Sequence, residues 1–427
     1  MSSQKEDLMR AVRASVEAYC AKTQNYAFDP AKPIVRLHEP TFGAEEINAA
    51  LECMLTTYVT MGPKVRAFER EFADKHGWRH GVMVNSGSSA NLLAVAAIAN
   101  KLTTDRLGPG DEVIVPALSW STTVWPLVQL GLVPVIADLD PSTLNIDPNE
   151  IERAIGPKTR GLMIVPVYGN PCAMDAIVDI CRRRDLVLIE DCCEALGASY
   201  GGKPVGKFGR VATFSFYYSH HITTLEGGIC VTDDDELAET MRILRAHGWV
   251  REVEDKQRWL AQHPDIDPKF LFVNLGYNLR ATEPQGAMGS VQLKKLDRFV
   301  EMRRASAAAY RTALQRFDNL FAFQEETPKS RHSWFGFSLN VRDSSPFDAR
   351  DLMAALGRAN IETRPIIAGN IARQPALKHY AHRTVGDLMH ATSVMQRGFS
   401  FGNHQAIDDA ARAYVVEHIA RFVEARG

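Results

Sequence analysis

The sequence predicts an α/β protein with a mostly parallel sheet and a second, smaller α+β domain. The first reason is size: 427 residues exceed one ordinary core, so two packed domains are expected. The second is that short apolar runs without polar alternation recur between residues 41 and 290, as in strands buried on both faces. The third is that helical segments separate several of these runs, the alternation that builds a parallel layer.

Taken in order, residues 2–27 form an amphipathic helix with Leu8, Val12, Val16 and Tyr19 on one face, which is expected to dock on the body or on a partner subunit. The stretch FDPAKP, from Phe28 to Pro33, is a linker. The expected strands are 82–84, 112–117, 133–137, 161–167, 186–190, 212–216 and 228–232. In DPNEIERAI, Asp147 is an N-cap, Pro148 suits the first turn, and Glu150 stands three residues after the cap. Residues 283–317 have no proline after Pro284 and predict one long helix leaving the large domain. Strand-like WFGFSLNV and helical DARDLMAALGRA then build the smaller domain. The expected division is 1–40 as extension and linker, 41–290 as the large domain, and 291–427 as the small one.

Composition narrows the function classes. The net charge of −2, without a long Lys/Arg run, argues against nucleic-acid or membrane-surface partners. No stretch approaches the roughly 20 apolar residues of a membrane span, and the polar first segment is not a secretory signal. The seven cysteines include no C-x-x-C pair, and Cys192 and Cys193 lie in an apolar run. This implies reduced thiols in a cytoplasmic protein, with no metal site.

Several segments carry chemistry. NSGSSANLLAV places Gly87, Ser88 and Ser89 at the start of an apolar helix, whose free N–H groups can hold a phosphate. A capped core helix fits the same pattern. In LIEDCCEALGA, Asp191 ends a buried strand, where ligands bind in open α/β sheets. It needs a partner, either a protonated pyridine nitrogen or a core arginine. Trp120, in PALSWSTTVWP, can stack on a flat ring or pack in the core. Then comes ATFSFYYSHHITTLEGG, in a stretch with no lysine between Lys207 and Lys256.

That last segment resembles the active-site stretch of the sugar aminotransferase family typified by DegT, DnrJ, EryC1 and StrS. Those enzymes have the aspartate-aminotransferase fold (pyridoxal-phosphate fold type I). In most members a lysine holds the cofactor as an imine, and the resemblance puts His221 in its place. Imidazole cannot form that bond but can move protons near neutral pH. The family's sugar 3-dehydratase branch carries this substitution. The chain is similar to that branch over nearly its whole length, through PALSWSTTVWPL, IEDCCEALGA, LRAHGWVRE, LGYNLRATEPQGAMG, QLKKLDRF, SWFGFSL, TRPIIAGN and FGNHQ.

The resemblance implies His221 as base, Asp191 on the pyridine nitrogen, Trp120 on the ring face and Glu194 near the ring hydroxyl. It puts Gly87, Ser88 and Ser215 on the phosphate. Asn278 would reach the neighbouring subunit's phosphate, so a homodimer with shared sites is expected. Arg245, Arg280 and Arg364 are candidates for a diphosphate or carboxylate, though structural ion pairs fit them equally. His404 is a further substrate-site candidate, with a capped loop as its alternative. His220 is assigned a structural role, because neighbours on a strand point to opposite faces.

The implied reaction uses L-glutamate to convert pyridoxal phosphate to pyridoxamine phosphate. The C3 hydroxyl of a nucleotide-linked 4-keto-6-deoxyhexose is then removed. GDP is the favoured nucleotide, with CDP and dTDP left open, as are a sugar aminotransferase and a non-catalytic binding protein. The N-terminal extension is more similar to an iron–sulfur branch. That branch needs cluster-binding cysteines after the segment matching RAHGW, and VREVEDKQRWLAQHPDIDPKF has none. No iron–sulfur cluster is therefore expected.

Overall fold

The computed structural model describes residues 3–39 and 42–426. Seven strands form the body of the main sheet: β1 (His80–Val84), β2 (Glu112–Pro116), β3 (Val133–Ala137), β4 (Thr159–Ile164), β5 (Val187–Asp191), β6 (Val211–Ser215) and β7 (Gly228–Thr232). The order is β1-β7-β6-β5-β4-β2-β3, completed beyond β3 by the two-residue strand Arg383–Thr384. From β6 to that last strand every pairing is parallel, and β7 pairs antiparallel with both β1 and β6. Each strand overlaps its predicted span with ends within two residues, except that β4 stops at Ile164, three residues before its predicted end. Alternate residues feed opposite faces: Val113 and Val115 enter one apolar cluster, and Ile114 enters another. The strand residues in both clusters are buried, hence the continuous apolar runs in the sequence.

The small domain is a second sheet of β8 (Phe321–Phe323), β9 (Phe337–Val341), β10 (Thr363–Pro365) and β11 (Gly398–Phe401), in the antiparallel order β8-β9-β11-β10. Its core is rich in phenylalanine. Between β10 and β11 the chain crosses back to the large sheet. Ile366, Ile371, Leu377 and Val394 pack into the large core there, and Arg383–Thr384 pairs with β3.

Two helical expectations are revised. The extension is helical over α1 (Ser3–Thr23), but its apolar stripe is split. Val12 and Val16 are half-buried and Cys20 is buried, whereas Leu8 and Tyr19 face solvent. The helix lies along α2 (Ala44–Thr56), joined by an Arg13–Glu52 ion pair. Residues 283–317 also make two helices rather than one, α3 (Glu283–Leu293) and α4 (Leu296–Leu314), followed by a short 3₁₀ turn. At the junction, Lys294 and Lys295 donate to the carbonyls of Val291 and Gln292, three residues back instead of four, which tightens the turn and redirects the chain. Lys295 then bonds the buried carboxylate of Glu46.

Among the described residues, no helix is long and apolar enough to cross a membrane.

Candidate active site

The main pocket opens at the C-terminal ends of β2, β4, β5 and β6, where the small domain and the segment around Leu37 and His38 close over the sheet. This is the position at which open α/β sheets bind ligands.

On the floor, Gly87 and Ser88 begin the helix Gly87–Ile98 and line the pocket. Ser86 caps that helix by accepting the Ser89 N–H at 3.0 Å. A Cβ on Gly87 would lie 2.4 Å from the Ser215 Cβ, so a larger residue would displace the serine beside it. Glycine here brings the bare N-terminus of a helix against a hydroxyl, a cradle suited to a phosphate. Ser89 does not contribute. Its hydroxyl donates to Asn85 at 2.6 Å and it is absent from the lining, so its part is capping.

Asp191 is buried at the end of β5. One carboxylate oxygen accepts from Asn91 Nδ2 at 2.8 Å and from Thr123 Oγ1 at 2.7 Å. Asn91 is held in turn by the Thr213 hydroxyl at 2.6 Å. No arginine or lysine pairs with Asp191 among the described residues. The core-arginine alternative therefore does not hold among the described residues, and a buried carboxylate without a cation can take a cationic group of a ligand. Trp120 precedes the helix Ser121–Gln129 and stays 49% exposed at the pocket edge. Glu194 accepts the Tyr168 N–H at 3.2 Å. Burial raises its pKa to about 7, the Tyr168 bond opposes the rise, and the charge of Asp191 adds to it.

The paired histidines reverse the sequence assignment. His221 is fully buried, does not line the pocket, and lies with Nε2 3.1 Å from the Ser333 carbonyl. His220 lines the pocket, its ring 5.1 Å from that of Phe335. The pair is not on a strand. β6 ends at Ser215, and a turn closed by His220 N–H to Tyr217 O follows, so strand alternation does not apply. Burial lowers the pKa of His220 to about 3, with His38, Arg303 and Arg364 adding like charge. The same forces press His221 well below the ordinary histidine range. Among the described residues, no lysine lines the pocket.

Of the three candidate arginines, Arg364, on β10, lines the pocket, and among the described residues the other two do not. Arg245 is buried in an ion pair with Glu69 and donates to the Met83 carbonyl at 2.7 Å, so it is structural. Arg280 donates to Asn278 Oδ1 at 3.0 Å, and both lie outside this chain's own pocket. His404 is buried with Nε2 3.1 Å from the Arg36 carbonyl, which removes it from the substrate site.

The sequence reading missed Asn91, Thr123, His38, Tyr168 and Phe335. Tyr168, Trp334 and Ile367 have φ of 55°, 50° and 47°, left-handed backbone that is costly without glycine and clustered around this pocket. The Tyr168 hydroxyl meets Ser400 Oγ at 3.0 Å and ties the two domains together across the site.

A sequence model of the DegT/DnrJ/EryC1/StrS aminotransferase family matches residues 40–420. GDP-4-keto-6-deoxy-D-mannose 3-dehydratase of Yersinia pseudotuberculosis is 41% identical over 86% of this chain and 94% of its own. A solved structure of GDP-4-keto-6-deoxymannose-3-dehydratase, a histidine-to-asparagine variant with bound GDP-perosamine, superposes with TM-score 0.84 at 39% identity, covering 90% of this chain and 100% of that one. Another, with a trapped PLP-glutamate geminal diamine, gives 0.82 at 38%, covering 90% and 100%. A variant with that histidine and the serine before it both replaced gives 0.81 at 37%, covering 89% and 100%.

Proposed function

The chain belongs to the DegT/DnrJ/EryC1/StrS aminotransferase family, and from that membership we propose that it is a pyridoxal-phosphate-dependent 3-dehydratase. Its substrate is a nucleotide-linked 4-keto-6-deoxyhexose, with GDP-4-keto-6-deoxymannose the first candidate and L-glutamate the amino donor. The observation that carries the reading is an imidazole, with no lysine, in a pocket built for the cofactor.

The residues fit that cofactor. The helix start at Gly87 and Ser88, with Ser215, would hold the phosphate. Asp191 would hold the ring nitrogen, Trp120 a ring face, and Glu194 the ring hydroxyl. When bound, pyridoxal phosphate in its amino form supplies the electron sink for loss of the sugar C3 hydroxyl.

His220, rather than His221, is the base. The chain's only Ser–His dipeptide is Ser219–His220, which matches the replaced serine and histidine of the solved variant. The His220 Nδ1 is buried without a partner, leaving Nε2 to meet a ligand. A neutral Nε2 would take up the proton released as the C3 hydroxyl is lost, and the resulting imidazolium would return it to that hydroxyl, which departs as water. A lysine would offer an amine to the cofactor aldehyde, and the pocket lining has none, which would disfavour completed amino transfer to the sugar. Arg364 is the anion acceptor in the pocket, for a carboxylate or diphosphate.

Asn278 and Arg280, outside their own pocket, would complete the site of a second subunit. Tyr58 is 81% exposed and Leu275 92%, apolar surface that a homodimer would cover. A nucleotide-sugar substrate implies a cytoplasmic reaction.

The test is an absorbance titration of the cofactor-loaded protein with L-glutamate, followed by product analysis with GDP-4-keto-6-deoxymannose. Loss of the aldehyde band, release of 2-oxoglutarate and a 4-keto-3,6-dideoxyhexose are expected. An amino sugar as the main product would instead make it an aminotransferase, and an unchanged spectrum would remove the glutamate half-reaction.

A further inference from the structure

Arg303, on α4, is almost fully buried, yet no carboxylate pairs with it among the described residues. Its NH1 donates to the Phe335 carbonyl at 2.8 Å and the Asn403 carbonyl at 3.0 Å, while Nε has no partner. Burial lowers its pKa to about 10, which leaves it charged near neutrality. An uncompensated buried cation is costly, and its surroundings must over-determine it.

Its position is specific. The guanidinium carbon lies 6.0 Å from the ring of Phe335, and that ring lies 5.1 Å from His220 and 6.0 Å from His38. Phe335 thus separates Arg303 from the pocket while transmitting its field through an apolar layer, where screening by water is weak. Other groups around His220 are His38 and Arg364, which repel a proton on it, and His221 beside it. The ring of Tyr217 is 6.2 Å away, and the pocket carboxyls are Asp191, Glu194 and Glu226.

We propose that Arg303 is a positioning residue for the reaction: an uncompensated charge placed behind Phe335 so that the proton His220 takes up is passed on rather than kept. The proposal rests on His220 being the base. A proton on the imidazole faces a fixed like charge that cannot be neutralised, so the imidazolium is a strong donor toward the leaving hydroxyl. The bonds to the two loop carbonyls hold the guanidinium in place and would by themselves be a purely structural role, which charge-specific substitutions separate from this one.

The test is a ring-proton NMR titration of histidine-labelled, cofactor-loaded protein, with His220 assigned by the signal missing from His220→Asn. Arg303→Gln keeps amide donors for the carbonyls and removes the charge. It is expected to raise the His220 midpoint by about half a unit or more, about a threefold change in the charged-to-neutral ratio. Arg303→Lys is expected to restore the wild-type midpoint. An unchanged midpoint in folded Arg303→Gln overturns the proposal. Should that variant not fold, Arg303→Lys is read alone, and a midpoint that moves although the charge is kept overturns it. The titration needs no turnover, so failure of the dehydratase reading and failure of this one are separately visible.

Discussion

At the residue scale, the two adjacent histidines divide the work of the loop after β6. His221 faces inward to Ser333, and His220 faces the pocket. His220→Asn is expected to slow 2-oxoglutarate release by about 10²–10⁴-fold, the range of general acid–base catalysis. His221→Gln is expected to keep the rate within about tenfold and to cost about 1–3 kcal/mol in urea unfolding, because a buried hydrogen bond is disturbed. The reverse pattern would return the base to His221. Glu194 gives a pH signature. Its pKa is raised on folding from an ordinary 4.5 to about 7, so the folded state binds the extra proton. Its contribution to stability is therefore intact below about pH 4.5 and is lost as pH rises through about 7. Glu194→Gln should lose less stability than wild type over that interval, read as Tm of the cofactor-free protein against pH. The placement of Asp191 in the pocket was legible from its strand-end position, whereas the role proposed for it came from the resemblance. The choice between His220 and His221 was not, because two identical neighbours are told apart only by the turn that carries them. Arg245 was ambiguous for a different reason: its partner, Glu69, lies far away in sequence.

At the element scale, the seven long strands of the main sheet were readable because burial on both faces removes polar residues from each run. The break between α3 and α4 was hidden, since helical periodicity and composition continue through Lys294 and Lys295. What fixes the break is tertiary. Glu46 on α2 is fully buried and accepts from Lys295 Nζ at 2.6 Å and from Gln292 Nε2 at 2.8 Å. Lys295→Met would leave that carboxylate without its cation and is expected to destabilise by about 3–5 kcal/mol. Urea unfolding measures this, and a loss under about 1 kcal/mol would show that the ion pair does not set the junction. His38 was missed for a related reason: nothing in residues 34–39 hints that the chain folds back over the pocket.

At the scale of the whole molecule, the expectation of a shared site yields a mixing experiment. His220→Asn damages a site from within, whereas Asn278→Ala is proposed to damage the partner's. In a mixed dimer one site would carry both lesions and the other neither. Co-refolding the two inactive variants should recover roughly a quarter of wild-type activity, as random pairing makes about half the dimers mixed. No recovery would mean that Asn278 serves its own chain or none. The strand Arg383–Thr384 has another consequence, for synthesis on the ribosome. It covers the outer edge of β3 but is translated about 250 residues later, which at 5–20 residues per second leaves that apolar edge bare for roughly 10–50 s. During that interval the nascent chain offers a ready template for wrong pairing, so its yield in a cell should depend on translation speed and on chaperone supply as well as on the stability of the finished fold.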